Sequence, residues 1–241
     1  MAKRRWILSV ALLLAAAVPA HAADRSNRSF DRARGAAERA LAELRRQNPD
    51  AQAVWQPTLP GPALVLGLRV AAPGSDPTAA AVQFARDHAA LWGVPARHLH
   101  AIDSQPSRDR HTVHVGLAAL VGGRAVPVVD RRLTVTLDRG ARLVVSVASD
   151  LLPVADLHAA QVSDQAAAAR ALQAVGMCEG AVSCAALARA TPARLAVLAD
   201  LAGATAVWVV DVRVRGPLQR TAVLVDAWSG AALRSSPVAI D

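Results

Sequence analysis

The run Leu133-Thr134-Val135-Thr136-Leu137-Asp138-Arg139-Gly140-Ala141-Arg142-Leu143 alternates strictly before it turns. Leu133, Val135 and Leu137 take every second position and Thr134 and Thr136 fill the gaps, the period of a half-buried strand. Asp138 to Ala141 supplies turn chemistry. Leu143, Val145 and Val147 then answer with the same period. The reading is an antiparallel hairpin with one aliphatic face for a core and one hydroxyl-bearing face turned away from it.

Reading outward from the hairpin extends the sheet. His111 to Leu120 alternates, Gly122-Gly123 turns, and Ala125 to Val129 reads as a short strand, so a meander precedes the hairpin. Upstream, Asp76 stands at an N-cap and Pro77 at the first helical position. The spacing predicts a helix running to Trp92 and stopping at Gly93, with Ala81, Phe84, Ala85, His88 and Trp92 on one face. Before it, Leu64 to Val70 reads as a strand, Gln56 to Pro62 is rich in Pro and Gly, and Phe30 to Gln47 reads as a helix closed by Asn48-Pro49-Asp50. Asp24 to Arg28 reads as a loose polar lead-in.

The downstream half repeats the plan. Ser163 and Asp164 cap a helix to Val175, stopped by Gly176. Arg194 to Ala199 reads as a strand, Asp200 to Gly203 as a turn, and Trp208 to Val214 alternates, with Asp211, Arg213 and Arg215 on one side. Gly216-Pro217 turns the chain into the strand Ala222 to Asp226, and Ala227 to Gly230 turns it into Ala231 to Arg234. The expected fold class is α+β, as two tandem modules that each pack a helix on an antiparallel sheet.

The first residues speak to compartment. Lys3, Arg4 and Arg5 precede the apolar stretch Trp6 to Val18, and Ala20-His21-Ala22 has the small-x-small form of a cleavage site. This reads as a secretory signal peptide cut after Ala22; the alternative, a membrane anchor, would need an apolar run of about 20 residues. The expectation is an exported chain, periplasmic or extracellular, with no membrane span after cleavage. Cys178 and Cys184 are the two cysteines of the 241 residues, and in an oxidising compartment they read as a disulfide across a short loop, the alternative being half of a metal site. The formal charge of +8 falls to about +5 without the leader, and Lys3 is the sole lysine. Single-stranded nucleic acid would want aromatic stacking platforms among the cations, but here the basic residues lie mostly beside apolar strand residues, as in Arg131-Arg132-Leu133, so no nucleic-acid partner is expected.

Catalytic patterns are missing from the sequence. It contains no His-Glu-x-x-His, no Gly-x-Ser-x-Gly and no Gly-rich phosphate loop before a helix. His88, His98, His100, His111, His114 and His158 do not fall at ligand spacing in their expected contexts, although His98 and His100 would share a strand face. No catalytic residue, metal or cofactor is expected, and the mature chain is read as a non-enzyme.

The order of these features carries a resemblance. The segments Trp55 to Gly67, Asp76 to Val94, the strand around Val113 and Val115, Gly122 to Val128, Leu133 to Leu143 and Val145 to Leu152 resemble the propeptide domain of fungalysin- and thermolysin-type metalloproteases. Ala222 to Leu233 resembles a PepSY domain, which follows that propeptide domain in those proteases. The divisions implied are a signal peptide at 1–22, a helical segment at 23–49, a propeptide-like domain at 50–153, a PepSY-like domain at 160–237 and a tail at 238–241. Cystatin-like or PepSY-like modules are the implied fold. The resemblance implies an intramolecular chaperone and inhibitor, here without the catalytic domain, and so a partner in a secreted metalloprotease bound in trans. Ser235, Ser236, Pro237, Val238, Ala239, Ile240 and Asp241 are the expected contact with that protease, as a strand or tail laid in its cleft. The alternative reading is a non-enzymatic envelope module for protein binding or structure.

Overall fold

The computed structural model describes residues 20–72, 76–175, 188–201, 203–214 and 219–238, and the side chains of all of these except 20–28, 214 and 219. Its character is α+β, a large sheet with few helices. Helix α1 (Ala20–Gln47) opens the described chain, followed by strands β1 (Gln52–Trp55) and β2 (Pro62–Ala71). Helices α2 (Pro77–Asp87) and α3 (Ala89–Trp92) come next, then β3 (Leu99–Pro106), β4 (Arg110–Val121), β5 (Arg124–Asp138) and β6 (Leu143–Ser149). Helix α4 (Asp164–Ala174) precedes β7 (Ala188–Ala190), β8 (Arg194–Asp200), β9 (Gly203–Val214), β10 (Gln219–Asp226) and β11 (Ala232–Val238).

The strands join in the order β1-β2-β6-β5-β8-β9-β10-β11, with β4 also on β5, β3 on β4 and β7 on β9. All pairings are antiparallel except β5 with β8, which run parallel through Val128–Val197 and Val129–Leu198. The strict alternation of β5 decides which face is buried. Leu133, Val135 and Leu137 are fully buried and lie in register with Val113 and Val115 on β4 and Val147 on β6. Helices α1 to α3 cover that face, with Leu41, Leu44, Phe84, Leu91 and Trp92 in the same core. Each aliphatic side chain so buried contributes about 1.5–3 kcal/mol against the entropy of ordering the chain. A second core forms where α4 lies on β7, β9 and β10, through Ala167, Ala171, Ala188, Val210, Val212, Val223 and Val225.

Local chemistry fixes the ends. Asp76 accepts from the backbone of Thr78 at 3.0 Å and Ala79 at 3.3 Å, with Pro77 at the first helical position. Gly93 closes α3 with φ 69°. In the β5–β6 turn the Asp138 carboxylate accepts from the backbone N–H groups of Arg142 at 2.7 Å and Leu143 at 2.9 Å, and those bonds, Leu143's foremost, hold its carboxyl below the usual range. Gly67 is required twice over: its φ is 71°, and a Cβ there would stand 2.5 Å from the carbonyl oxygen of Asp50.

Several expectations are corrected. Asp24 to Arg28 is helical, continuous with the rest of α1, since the stretch holds neither Gly nor Pro to break it. The helix expected from Asp76 to Trp92 is interrupted at His88, whose φ and ψ of −107° and 20° leave the helical range. Ala125–Val129 and Leu133–Leu137 are parts of one strand of 15 residues, carried through Asp130 at φ 59°. Aspartate tolerates that left-handed conformation, so the chain bends without losing the strand. His98 ends a 3-10 turn and does not share a strand with His100. Ser235 to Val238 is part of β11, paired with Val223 to Arg220, and is not a tail; Ala239, Ile240 and Asp241 lie outside the described residues.

Candidate functional site

One face of the first part of the sheet carries no helix among the described residues. Cross-strand registers build two rows on it. Asp103, His114, Thr134, Ala148, Leu64 and Val54 form the first, running from β3 through β4, β5, β6 and β2 to β1. Gln105, Thr112, Thr136, Ser146, Leu66 and Gln52 form the second on the same strands. Six strands at about 4.8 Å spacing make a surface roughly 24 Å wide. Val54 is 52 % and Leu66 42 % exposed, and the side chains between them are partly exposed, short and mostly hydroxylated or aliphatic. These are the residues that alternate with the buried Leu133, Val135 and Leu137, so the amphipathic pattern of the hairpin is what creates the face.

His114 is the chemically distinctive group on it. Its Nδ1 lies 3.1 Å from Thr134 Oγ1 and its Nε2 3.8 Å from Asp103 Oδ1. A carboxylate, an imidazole and a hydroxyl in line have the composition of a nucleophilic triad. This arrangement lies flat on paired strands, where the ladder engages the backbone N–H groups, so it offers no pair of donors to an oxyanion. Its geometry ties β3 to β4 and β4 to β5. The alternation of the sequence held the signal for His114 and Thr134 on one face; Asp103 was hidden because β3 has no apolar period.

The remaining histidines are dispersed. His88 packs its ring 4.6 Å from Phe84, and burial pushes its pKa below the usual value, with neighbouring Asp87 opposing. His100 Nδ1 lies 3.4 Å from the carbonyl of His98, Arg97 donates to His98 at 3.0 Å, and exposed His158 lies 6.4 Å from Trp228. Among the described residues no group of three or more His, Cys, Asp or Glu could hold a metal ion. Cys178 and Cys184 lie outside the described residues. No helix among the described residues is long and apolar enough to cross a membrane.

The face of the second part of the sheet opposite α4 also carries no helix among the described residues. Ala196, Val207 and Leu224 are buried on it, with Val129, Leu198 and Val209 packed around them. Arg234 on β11 reaches across to the Asp130 carboxylate on β5, while Arg131 donates to the carbonyls of Ala199 at 3.1 Å and Asp150 at 3.3 Å. Of the suspected contact residues, Ser235, Ser236, Pro237 and Val238 sit on this outermost strand, whose outer edge has no partner among the described residues. Pro237 removes one N–H donor from the strand, a feature of natural edge strands that blunts pairing. A groove of 520 Å³ runs between α1 and the β8–β9 turn, lined by Phe30, Leu152, Val154, Leu157 and Leu201 among others.

No family model matches the chain, and no curated protein matches it. Among solved structures it is similar to the Bacillus megaterium YpeB C-terminal domain, with a TM-score of 0.41 and 11% identity over 74% of this chain and 73% of that one. A likeness of that degree carries no weight for what this chain does.

Proposed function

We propose that the chain is an exported propeptide-like protein of two tandem modules, a non-enzyme that binds a secreted thermolysin-like zinc metalloprotease in trans as inhibitor, folding chaperone or both. The observation that carries the reading is the uncovered face of six strands, from Val54 on β1 to Asp103 on β3, backed by a helix-packed core. The short side chains at its centre, Thr112, Thr134, Thr136, Ser146 and Ala148, lose little rotamer entropy when a partner covers them. The order of segments from Trp55 to Leu152 and from Ala222 to Leu233 supplies the family resemblance that names the partner. A core of its own under α4 supports a second module, although the core under α1 to α3 runs on into Val197 and Ala199 of β8.

Export by the leader at 1–22 and a disulfide between Cys178 and Cys184 belong to the same reading. Since Ser235 to Val238 is strand, insertion of a tail into the protease cleft is confined in this account to Ala239 to Asp241, and the sheet face is the principal contact. The experiment is refolding of a thermolysin-like protease from the producing organism, stripped of its own propeptide, with and without this protein. A stoichiometric rise in recovered activity, or its stoichiometric suppression, is expected. If the protein changes neither recovery nor activity, the alternative stands: an envelope module whose partner is not a protease.

A further inference from the structure

The face opposite α4 carries, beside its buried aliphatic cluster, charge that the sheet itself does not balance. Arg189 on β7 lies directly across from Arg213 on β9, and Arg213 directly across from Arg220 on β10. Ala188 and Val212, each next to one of these arginines, and Val223, an odd number of positions from Arg220, point into the core under α4, so by strand alternation the three arginines project from the other side. The row spans three adjacent strands, about 10 Å at ordinary strand spacing. Like charges directly opposite each other destabilise a sheet. Among the described residues Asp211 is the carboxylate that answers them, accepting from Arg220 Nη2 at 2.6 Å. Three guanidiniums against one carboxylate leave a net charge of about two, and Arg189 and Arg213 are exposed with no ion-pair partner among the described residues. Arg220 adds a buried Nε with no acceptor.

We propose that the Arg189–Arg213–Arg220 row is a docking surface for an acidic polypeptide segment whose carboxylates stand about 5 Å apart, the spacing of positions i and i+4 on a helix. Three features select that partner. The guanidiniums form a line and do not converge on a point, so they match a series of carboxylates better than a single ion. Backbone N–H groups here belong to the strand ladder and make no cradle for a phosphate. Trp208 turns to the α4 side, where it donates to the carbonyl of Val162 at 2.9 Å, so the row has no stacking platform for nucleic acid. Arginine forks bind carboxylates bidentately, which rewards an aligned acidic face. The proposal does not depend on the protease reading; an acidic segment on any partner would satisfy it.

The test is a titration of the full chain against a fluorescent Ala-rich helical peptide with Glu at i and i+4, at low and at physiological salt. Binding that weakens with salt is expected, with a loss of at least about tenfold in Arg213→Glu and in Arg189→Gln, and none in Arg108→Glu at the distant β3–β4 tip. The Arg213 and Arg189 variants are expected to melt no lower than the parent, because each relieves like-charge opposition; a purely structural role would lower the melting temperature. Absence of binding at low salt, binding indifferent to Arg213→Glu and Arg189→Gln, or an oligonucleotide or heparin fragment of equal charge binding as tightly as the peptide would each overturn the proposal.

Discussion

At the scale of single residues, His88 marks where a propensity-based reading and the fold part. The helix pattern runs through it, yet the backbone breaks there and the ring is held against Phe84. Burial pushes its pKa below the ordinary value of about 6.5, so between the folded and unfolded values the unfolded chain binds more protons. Its contribution is complete above that ordinary value and is lost as pH falls through the folded one. Thermal melts between pH 7 and pH 5 are expected to show stability declining with acidity, less steeply in His88→Phe. Trp92 is 1 % exposed and its Nε1 has no acceptor. Trp92→Phe therefore forfeits no hydrogen bond and is expected to cost less than about 1.5 kcal/mol, whereas Trp92→Ala is expected to cost about 3–5 kcal/mol in chemical denaturation. Sequence periodicity put Trp92 in the core; that its indole N–H stays unpaired there depends on contacts no pattern encodes.

At the scale of elements, legibility followed amphipathicity. The capped start of α2, the Gly93 stop, the β5–β6 hairpin and β8 to β10 were readable because polar and apolar positions alternate against a core. Asp76→Ala is expected to cost about 1 kcal/mol, read as a shift in denaturation midpoint at constant slope, since two backbone donors lose their acceptor. Strand β3 escaped notice because Ile102 to Pro106 is exposed and its Asp-Ser-Gln-Pro run shows no period. Strand β1 is only four residues long and abuts a Pro- and Gly-rich segment. Asp130-Arg131-Arg132 read as a break between strands; the structure keeps the strand whole by bending it at Asp130 and tying Arg131 to two carbonyls. Of the candidate site, the hydroxylated face was implicit in Thr134 and Thr136, while the arginine row was half visible, since the sequence puts Asp211 and Arg213 on one side but cannot bring Arg189 or Arg220 beside them.

At the scale of the molecule, β5 is the junction. It pairs with β4 and β6 in one part of the sheet and, through two residues, with β8 in the other. So short a parallel contact between distant segments leaves no trace in a sequence. Helices cover one side of each part, and the sides without a described helix differ in chemistry: hydroxyl and aliphatic groups on the first, a buried aliphatic cluster beside a row of arginines on the second. In this account the first side meets the protease. A side chain that stands up from its flat rows would hold a partner off without touching the core, and Thr136, partly exposed between Thr112 and Ser146, is the place for it. The direct measurement is a titration of a thermolysin-like protease from the producing organism with the parent protein and with Thr136→Arg. The account predicts slow, tight, one-to-one inhibition by the parent, weakened at least about tenfold, or about 1.4 kcal/mol, in a Thr136→Arg protein that melts like the parent. An inhibition unchanged by Thr136→Arg would contradict the assigned face, and a parent that neither inhibits the protease nor raises its recovery on refolding would contradict the protease reading itself.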